Sequence, residues 1–193
     1  MTEKTDSKKI LVLLGSPRKK GNSTTLAQKI IEGADAAGAT VETIYLHGQD
    51  IAACHACYGC LKPDNKSCVI DDDMQPIYQK LVEADAWVFA SPVYWFTMSA
   101  QMKLCIDRCF ALYNNNQEAF AGKRIAIAMS YADPDPFISG CANALRTFQD
   151  MFAYVGSNIV GMVYGSADKP GEIKSNQSLM QEAEALGQKL VKS

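Results

Sequence analysis

Two groups of residues in the sequence can carry chemistry: a loop of hydroxyl and basic side chains near the start, and a cluster of four cysteines. The loop GSPRKKGNSTT (15–25) follows the apolar run 10–14 and leads at once into a helical pattern. A helix N-terminus offers free N–H groups and the positive end of a dipole, which favour an anion. Closely spaced thiols, in a chain without an export signal, indicate a metal or redox site. The clustered thiols are Cys54, Cys57, Cys60 and Cys68.

The loop lacks three familiar patterns. A P-loop needs Lys and then Ser or Thr after its last glycine, whereas Asn22 follows Gly21. The dinucleotide pattern G-x-G-x-x-G is also missing. A phospho-acceptor receiver domain needs acidic residues after the first strand, but residues 14–16 are Leu-Gly-Ser. The remaining interpretation is a loop whose hydroxyl and backbone amide groups bind phosphate. The alternative is an ordinary capped helix start with lysines exposed to solvent.

Elements that would position these residues alternate along the chain. Apolar runs predict five strands, at 10–14, 41–46, 86–90, 124–129 and 158–164. Between and after them, apolar residues at i, i+3, i+4 and i+7 predict five helices. This alternation indicates an α/β fold with a doubly wound, five-stranded parallel sheet and helices on both faces. Ligands of such sheets bind beyond the carboxyl ends of the strands, so functional loops should follow strands.

The bulk composition predicts one domain over residues 1–193, with a cysteine-rich insertion at about 47–71. The segment 166–178 is expected to be only a connection to the last helix. A formal net charge of −2 argues against nucleic acid or a membrane surface as partner. The polar N-terminus has no apolar core of a secretory signal, which predicts a cytoplasmic protein.

Two motifs resemble the NADPH-dependent FMN reductase family: the loop above and SPVYWFTMSAQMKLCIDR (91–108) after the third predicted strand. The resemblance implies a flavodoxin-like fold with strand order 2-1-3-4-5 and FMN as cofactor. Implied phosphate-binding residues are Ser16, Arg18, Asn22, Ser23 and Thr24. The residues implied to frame the flavin ring are Pro92, Val93, Tyr94, Trp95, Phe96 and Thr97. Ser130 and Tyr131, after the fourth strand, are expected to close the other side of the ring.

The cysteine spacing C-x₂-C-x₂-C-x₇-C resembles the iron–sulfur flavoprotein branch of the same family. That resemblance implies a [4Fe–4S] cluster near FMN, with Cys54, Cys57, Cys60 and Cys68 as ligands. A structural zinc usually takes two separated C-x₂-C pairs, so the compact pattern is less typical of zinc. Free thiols remain the alternative, and His55 is expected to be a surface residue. The other three cysteines lie on apolar helix faces and are assigned to the core: Cys105, Cys109 and Cys141.

The leading hypothesis is an FMN-dependent oxidoreductase that moves electrons from NAD(P)H or a reduced carrier to a flavin, quinone or protein acceptor. Hydride transfer needs no acid or base, so no catalytic side chain is predicted. One alternative is a non-enzymatic flavoprotein that carries electrons or senses redox state. Another is a binding module with an empty phosphate loop. The resemblance also implies a homodimer or homotetramer, in which residues 94–96 would also pack on a partner subunit.

Overall fold

A computed structural model of the protein describes residues 7–65 and 67–192. The strands in these ranges are β1 (Lys9–Leu14), β2 (Thr40–Tyr45), β3 (Ala86–Tyr94), β4 (Thr97–Met98), β5 (Arg124–Tyr131) and β6 (Asn158–Ser166). The helices are α1 (Asn22–Ala36), α2 (Met74–Glu83), α3 (Ala100–Asn115), α4 (Cys141–Tyr154) and α5 (Gln177–Val191). In the part of the chain described, no helix is both long and apolar enough to span a membrane.

The five long strands form a parallel sheet in the order β2-β1-β3-β5-β6. The predicted fold class is confirmed. The strand numbers differ from the predicted 2-1-3-4-5 because the short strand β4 pairs antiparallel with β3, off this path. A strand of two residues is too short to show an alternating pattern, so β4 could not be predicted from apolar periodicity.

Two central strands extend further than their apolar runs. β3 continues to Tyr94 and β5 to Tyr131, and Pro92 lies opposite Ser130 in the register. The neighbouring strand β1 pairs with β3 only as far as Ala90. Pro92, which has no N–H to donate, therefore lies beyond the point where β1 needs a donor. The loops of interest begin at these extended strand ends.

The sheet separates two hydrophobic layers. Ile10, Val12 and Leu14 of β1 pack in the cluster that includes α1 and α5, whereas Leu11 and Leu13 pack with α2, α3 and α4. This alternation matches the period of two along a strand that is buried on both faces. The helix starts after β1 and β3 are thereby fixed at one edge of the sheet.

Residues 46–73 connect β2 to α2. They contain two 3₁₀ turns, Leu46–Gly48 and Gly59–Leu61, and no strand among their described residues. Backbone N–H groups close the base of this segment: Asp50 donates to the Asp73 carboxylate at 2.7 Å, and Ala52 donates to the Asp72 carboxylate at 3.0 Å. The segment therefore leaves and re-enters the fold at neighbouring points, with the clustered cysteines between them.

Candidate functional site

Helix α1 begins without a side-chain cap. Its N-cap is Gly21, and its first turn contains no acidic residue. A Cβ atom at Gly21 would lie 2.9 Å from Ser16 Oγ, so this close turn requires glycine. Ser16 Oγ accepts a hydrogen bond from the backbone N–H of Arg18 at 3.1 Å and donates one to the Arg18 carbonyl at 3.2 Å, which fixes the loop. The N–H groups of the first helical turn are left for an anion.

Ser23 adds an unpartnered hydroxyl at this helix start. The residue is 1% exposed, and its Oγ has no hydrogen-bond partner within residues 7–65 and 67–192. An unsatisfied buried polar group costs about 1–3 kcal/mol, so such groups are rare in folded proteins. A phosphate oxygen bound at the start of α1 would accept a hydrogen bond from this hydroxyl. The residues present therefore fit a phosphate group.

The side chain of Asn22 is committed within the protein. Its Nδ2 donates to the carbonyl oxygens of Ala167 and Lys169, each at 3.0 Å, and its Oδ1 accepts from the N–H of Ile173 at 3.4 Å. Both amide hydrogens are thus used to fix the segment after β6. The predicted phosphate contact of Asn22 stays a prediction, and its backbone N–H is the group left to make it.

The loops after β1 and β6 and the carboxyl ends of β3 and β5 meet in one pocket of about 160 Å³ at the carboxyl edge of the sheet. Eight predicted site residues line it: Ser16, Arg18, Asn22, Pro92, Val93, Tyr94, Ser130 and Tyr131. The segment after β6 contributes Ala167, Asp168 and Pro170, which the sequence analysis treated as part of a connection. The rule that ligands bind beyond strand ends applies equally to β6 and was the signal that could have found them.

The other predicted residues lie around this pocket. Thr24 lines a groove between α1 and α5, and its Oγ1 donates to the Arg18 carbonyl at 3.3 Å. Trp95 and Phe96 form the turn between β3 and β4, and Thr97 begins β4. The structure thus separates the predicted ring-framing run into a pocket wall, 92–94, and an adjoining hairpin.

The hairpin turn is strained and presents aromatic side chains to solvent. Trp95 has φ 48° and Phe96 has φ 69°, the left-handed conformation that two-residue hairpins require and that Asn and Gly usually supply. Trp95 is 92% exposed. Asn143 Nδ2 donates to the Phe96 carbonyl at 3.2 Å, and a Cβ at Gly140 would lie 2.5 Å from Phe96 Cα. Backbone strain that the surrounding structure holds in place is typical of functional sites.

Two buried serines join the hairpin to the first loop. Ser99 is the N-cap of α3, where its Oγ accepts from the N–H of Met102 and donates to the Gly15 carbonyl at 2.7 Å. Ser91 Oγ accepts from the N–H of Ser99 at 2.9 Å. Both serines are 0% exposed. These contacts hold the two predicted binding loops in a fixed relation.

All four clustered cysteines line a second cavity, of about 220 Å³. Cys54 and Cys57 are exposed, Cys60 and Cys68 are partly buried, and all four are free thiols. Burial raises the pKa of the Cys60 thiol, and the negative charge of the other three thiolates raises it further. The buried side chain of Arg108, on α3, lines the same cavity.

The cysteine loop has a backbone that suits an anionic group. Ala56 and Tyr58 have φ of 51° and 53°, and the left-handed Tyr58 is followed at once by the right-handed 3₁₀ turn Gly59–Leu61. Residues that alternate between the two helical hands turn successive N–H groups toward one point, as in many iron–sulfur sites. Across residues 7–65 and 67–192, however, no three Cys, His, Asp or Glu side chains are close enough to hold a single metal ion.

Sheet order and the pocket at its carboxyl edge place the protein in the flavodoxin-like class of α/β proteins. The NADPH-dependent FMN reductase family matches residues 8–172, and the chain belongs to that family. The predicted family is therefore confirmed, and the protein is an FMN-dependent oxidoreductase.

Individual relatives agree with this assignment. An iron–sulfur flavoprotein of Archaeoglobus fulgidus is 32% identical over 157 residues, which cover 81% of this chain and 76% of that protein. The NAD(P)H:quinone oxidoreductase of Methanothermobacter marburgensis has a similar structure, with TM-score 0.73, 19% identity, and 97% and 98% of the two chains covered. An FMN-dependent NADH-azoreductase of Bacillus anthracis, in complex with FMN, also has a similar structure, with TM-score 0.72, 16% identity, and 96% of this chain and 100% of that chain covered. The two structures support the fold.

Proposed function

We propose that this oxidoreductase passes electrons from NAD(P)H to a protein acceptor through FMN and a [4Fe–4S] cluster. FMN, when bound, takes two electrons from the nicotinamide and releases them singly, and an iron–sulfur cluster carries one electron at a time. The family supports FMN and a nicotinamide donor. The observation that carries the cluster is the single cavity lined by four cysteines and a buried arginine.

The first loop holds the flavin phosphate in this proposal. Ser23 and the first N–H groups of α1 donate hydrogen bonds to phosphate oxygens, Ser16 fixes the loop beside them, and the exposed Arg18 adds a charge-assisted contact. The extended ends of β3 and β5 supply the two walls for the ring, from 92–94 and 130–131. Fixed backbone groups at these walls orient the ring, while the exposed aromatic hairpin shields it from water.

The cysteine cavity holds the cluster, with Cys54, Cys57, Cys60 and Cys68 as ligands. Three thiolates come from one short loop, and the fourth approaches from beyond the 3₁₀ turn Gly59–Leu61. Because two of the thiols are exposed, the cluster would lie near the surface. That position suits electron transfer to a protein partner.

Anaerobic purification tests the proposal. We expect a broad brown absorption with flavin bands, about four irons per chain, and bleaching of the flavin by NAD(P)H. Cys57→Ala should lose most of the iron and keep FMN. Cys109→Ala, a half-buried thiol outside the cavity, is the matched control and should keep both. Iron-free wild-type protein would refute the cluster, and a flavin that NAD(P)H does not reduce would favour a non-enzymatic carrier.

We also propose that the chain forms a homodimer through the exposed hairpin. The hairpin turn adjoins the segment that carries Phe137, because the N–H of Gly140 donates to the Phe137 carbonyl and Gly140 contacts Phe96. Phe137 and Ile138 are 81% and 60% exposed. Large exposed apolar side chains on neighbouring segments are typical of an interaction site. Light scattering should give twice the chain mass for the wild type and one chain mass for Phe137→Ser/Ile138→Ser. A monomeric wild type would contradict the proposal.

The predicted cytoplasmic location stays a prediction.

A further inference from the structure

Arg108 is a cation buried beneath the cysteine cavity. It extends from α3, it is 1% exposed, and it lines the cavity together with the four clustered cysteines. A charged side chain is almost never so fully buried unless it is paired. The partners of its three nitrogen atoms therefore indicate what the residue is for.

Two of the three nitrogens are satisfied within the protein. Nη1 donates to the Asp72 carboxylate and to the Ala52 carbonyl at 3.0 Å. Nη2 donates to the other oxygen of Asp72 at 3.1 Å and to the Ile70 carbonyl at 3.5 Å. This fork fixes the plane of the guanidinium group.

The third nitrogen has no partner. Nε of Arg108 is buried and makes no hydrogen bond to any residue that the structure describes. A buried donor on a charged group is costly to leave unsatisfied, more so than a neutral one. An acceptor supplied by a group bound in the adjoining cavity would remove this cost.

The Arg108–Asp72 ion pair presents only its positive member to the cavity. Asp72, which neutralises Arg108, is not among the residues that line the cavity, whereas Arg108 is. The pair as a whole has no net charge, but its positive member lines the cavity together with the thiols. Asp107 also lines the cavity and is paired with Lys103 at the surface. His55 is the remaining titratable residue of the lining besides the thiols and Tyr58.

We infer that Arg108 donates its Nε–H to a sulfur atom of the bound cluster and thereby raises the cluster's reduction potential. The inference rests on the cluster proposed above. A cubane held by four thiolates is anionic, and reduction adds one further negative charge. Hydrogen bonds to sulfur and nearby charge are among the factors that set such potentials. Arg108 is thus a positioning and tuning residue, and the cysteines alone are ligands.

A matched pair of double variants separates this role from a structural one. Arg108→Met/Asp72→Asn removes the donor and its counter-charge together, so that no unpaired charge stays buried. Arg146→Met/Asp150→Asn makes the same change at an exposed pair on α4, whose side chains are 74% and 60% exposed. The readout is the midpoint potential of the cluster in an anaerobic titration followed by absorbance and electron paramagnetic resonance.

We expect the first double variant to disfavour reduction at least tenfold, a shift of about 59 mV or more toward negative potential. The control should match the wild type. Asp72→Asn alone should move the potential the opposite way, because it leaves the positive charge beside the cluster uncompensated. A loaded Arg108→Met/Asp72→Asn protein with the potential of the control would overturn the inference.

A second measurement needs no substitution. Wild-type protein labelled with ¹⁵N only in arginine is reduced, and pulsed electron paramagnetic resonance records nitrogen coupling to the paramagnetic cluster. Of the four arginines, only Arg108 lines the cavity, so we expect coupling to one arginine nitrogen. A loaded protein without such coupling would refute the hydrogen bond alone. A wild type that binds no iron would refute the proposed cluster and this inference together.

Discussion

Asn22 Nδ2 donates a hydrogen bond of 3.0 Å to the carbonyl oxygen of Ala167, 145 residues further along the chain. The contact joins the first residue of α1 to the first residue after β6. A second bond from the same nitrogen reaches the carbonyl of Lys169. The segment after β6, which lines the pocket, is therefore held in place by the first residue of α1 even before any ligand binds.

Asn22→Ala should destabilise the flavin-free protein. The variant removes both donated bonds and leaves two carbonyl oxygens without their donors, so we expect the free energy of unfolding to fall by about 1–3 kcal/mol. Urea denaturation measures this quantity. Ser23→Ala is the control, because its hydroxyl has no partner and its loss should not lower stability. An Asn22→Ala protein as stable as the wild type would show that the contact does not support the fold.

Gly33→Ala should destabilise the contact between α1 and α5. Helix propensity alone would favour alanine by about 1 kcal/mol. A Cβ at this position, however, would lie 1.9 Å from the carbonyl oxygen of Glu184. Overpacking of this kind costs about 1–3 kcal/mol or more, so we expect a net loss in urea denaturation. Gly48→Ala, where the nearest atom would be 3.5 Å away on Tyr45, should be tolerated. A stabilised Gly33→Ala variant would mean that the two helices separate freely.

The sequence predicted the elements well because their signals are local. Apolar runs located every long strand to within a few residues, and hydroxyl-rich or aromatic stretches after β1 and β3 marked two of the pocket's loops. The extension of β3 to Tyr94 was not predicted, since Ser91 and Pro92 interrupt the apolar run.

Contacts between residues that are far apart in the chain could not be predicted from the sequence. Arg108 and Asp72 are 36 residues apart, and neither position differs in its local pattern from an ordinary surface charge. Residues 167–170 were likewise missed because Ala-Asp-Lys-Pro carries no distinctive chemistry. Asn22 was predicted to contact phosphate, and only the folded chain shows its amide facing the segment after β6.

Asp72 should make the stability of the apoprotein sensitive to acid. Burial acts to raise the pKa of its carboxyl, but hydrogen bonds from Arg108, Ala52 and Met74 outweigh this and hold the pKa below its ordinary value of 3.8. The carboxyl of Asp72 therefore binds a proton more readily in the unfolded chain. The free energy of unfolding falls as the pH drops below the ordinary pKa and through the lower pKa of the folded protein. Urea denaturation as a function of pH measures the slope.

Asp72→Asn should flatten this slope, whereas Asp150→Asn, at an exposed pair, should keep it. At neutral pH we expect Asp72→Asn to be less stable than the wild type, since it leaves the buried guanidinium without a counter-charge. Equal acid dependence in the wild type and in Asp72→Asn would contradict the assignment.

Trp95→Asn should stabilise the isolated chain and weaken its assembly. The left-handed conformation costs a bulky residue about 1–2 kcal/mol, and asparagine tolerates it better. Because Trp95 is 92% exposed, little packing is lost within one subunit. We expect about 1 kcal/mol of added stability in urea, together with a weaker dimer in sedimentation. Phe137→Asn, at a residue that is 81% exposed and has no positive φ, should show only the second effect. Lower stability in the Trp95→Asn chain would mean that the turn is not strained.

If the FMN phosphate binds at the start of α1, the protein should bind FMN more tightly than riboflavin. Riboflavin presents the same ring without the phosphate, so titration of the apoprotein isolates the loop's contribution. Two charge-assisted hydrogen bonds would favour FMN by about 100-fold or more. Ser23→Ala and Arg18→Ala should each weaken FMN by about 1.5–3 kcal/mol and leave riboflavin affinity unchanged. Equal binding of the two flavins by the wild type would contradict the account.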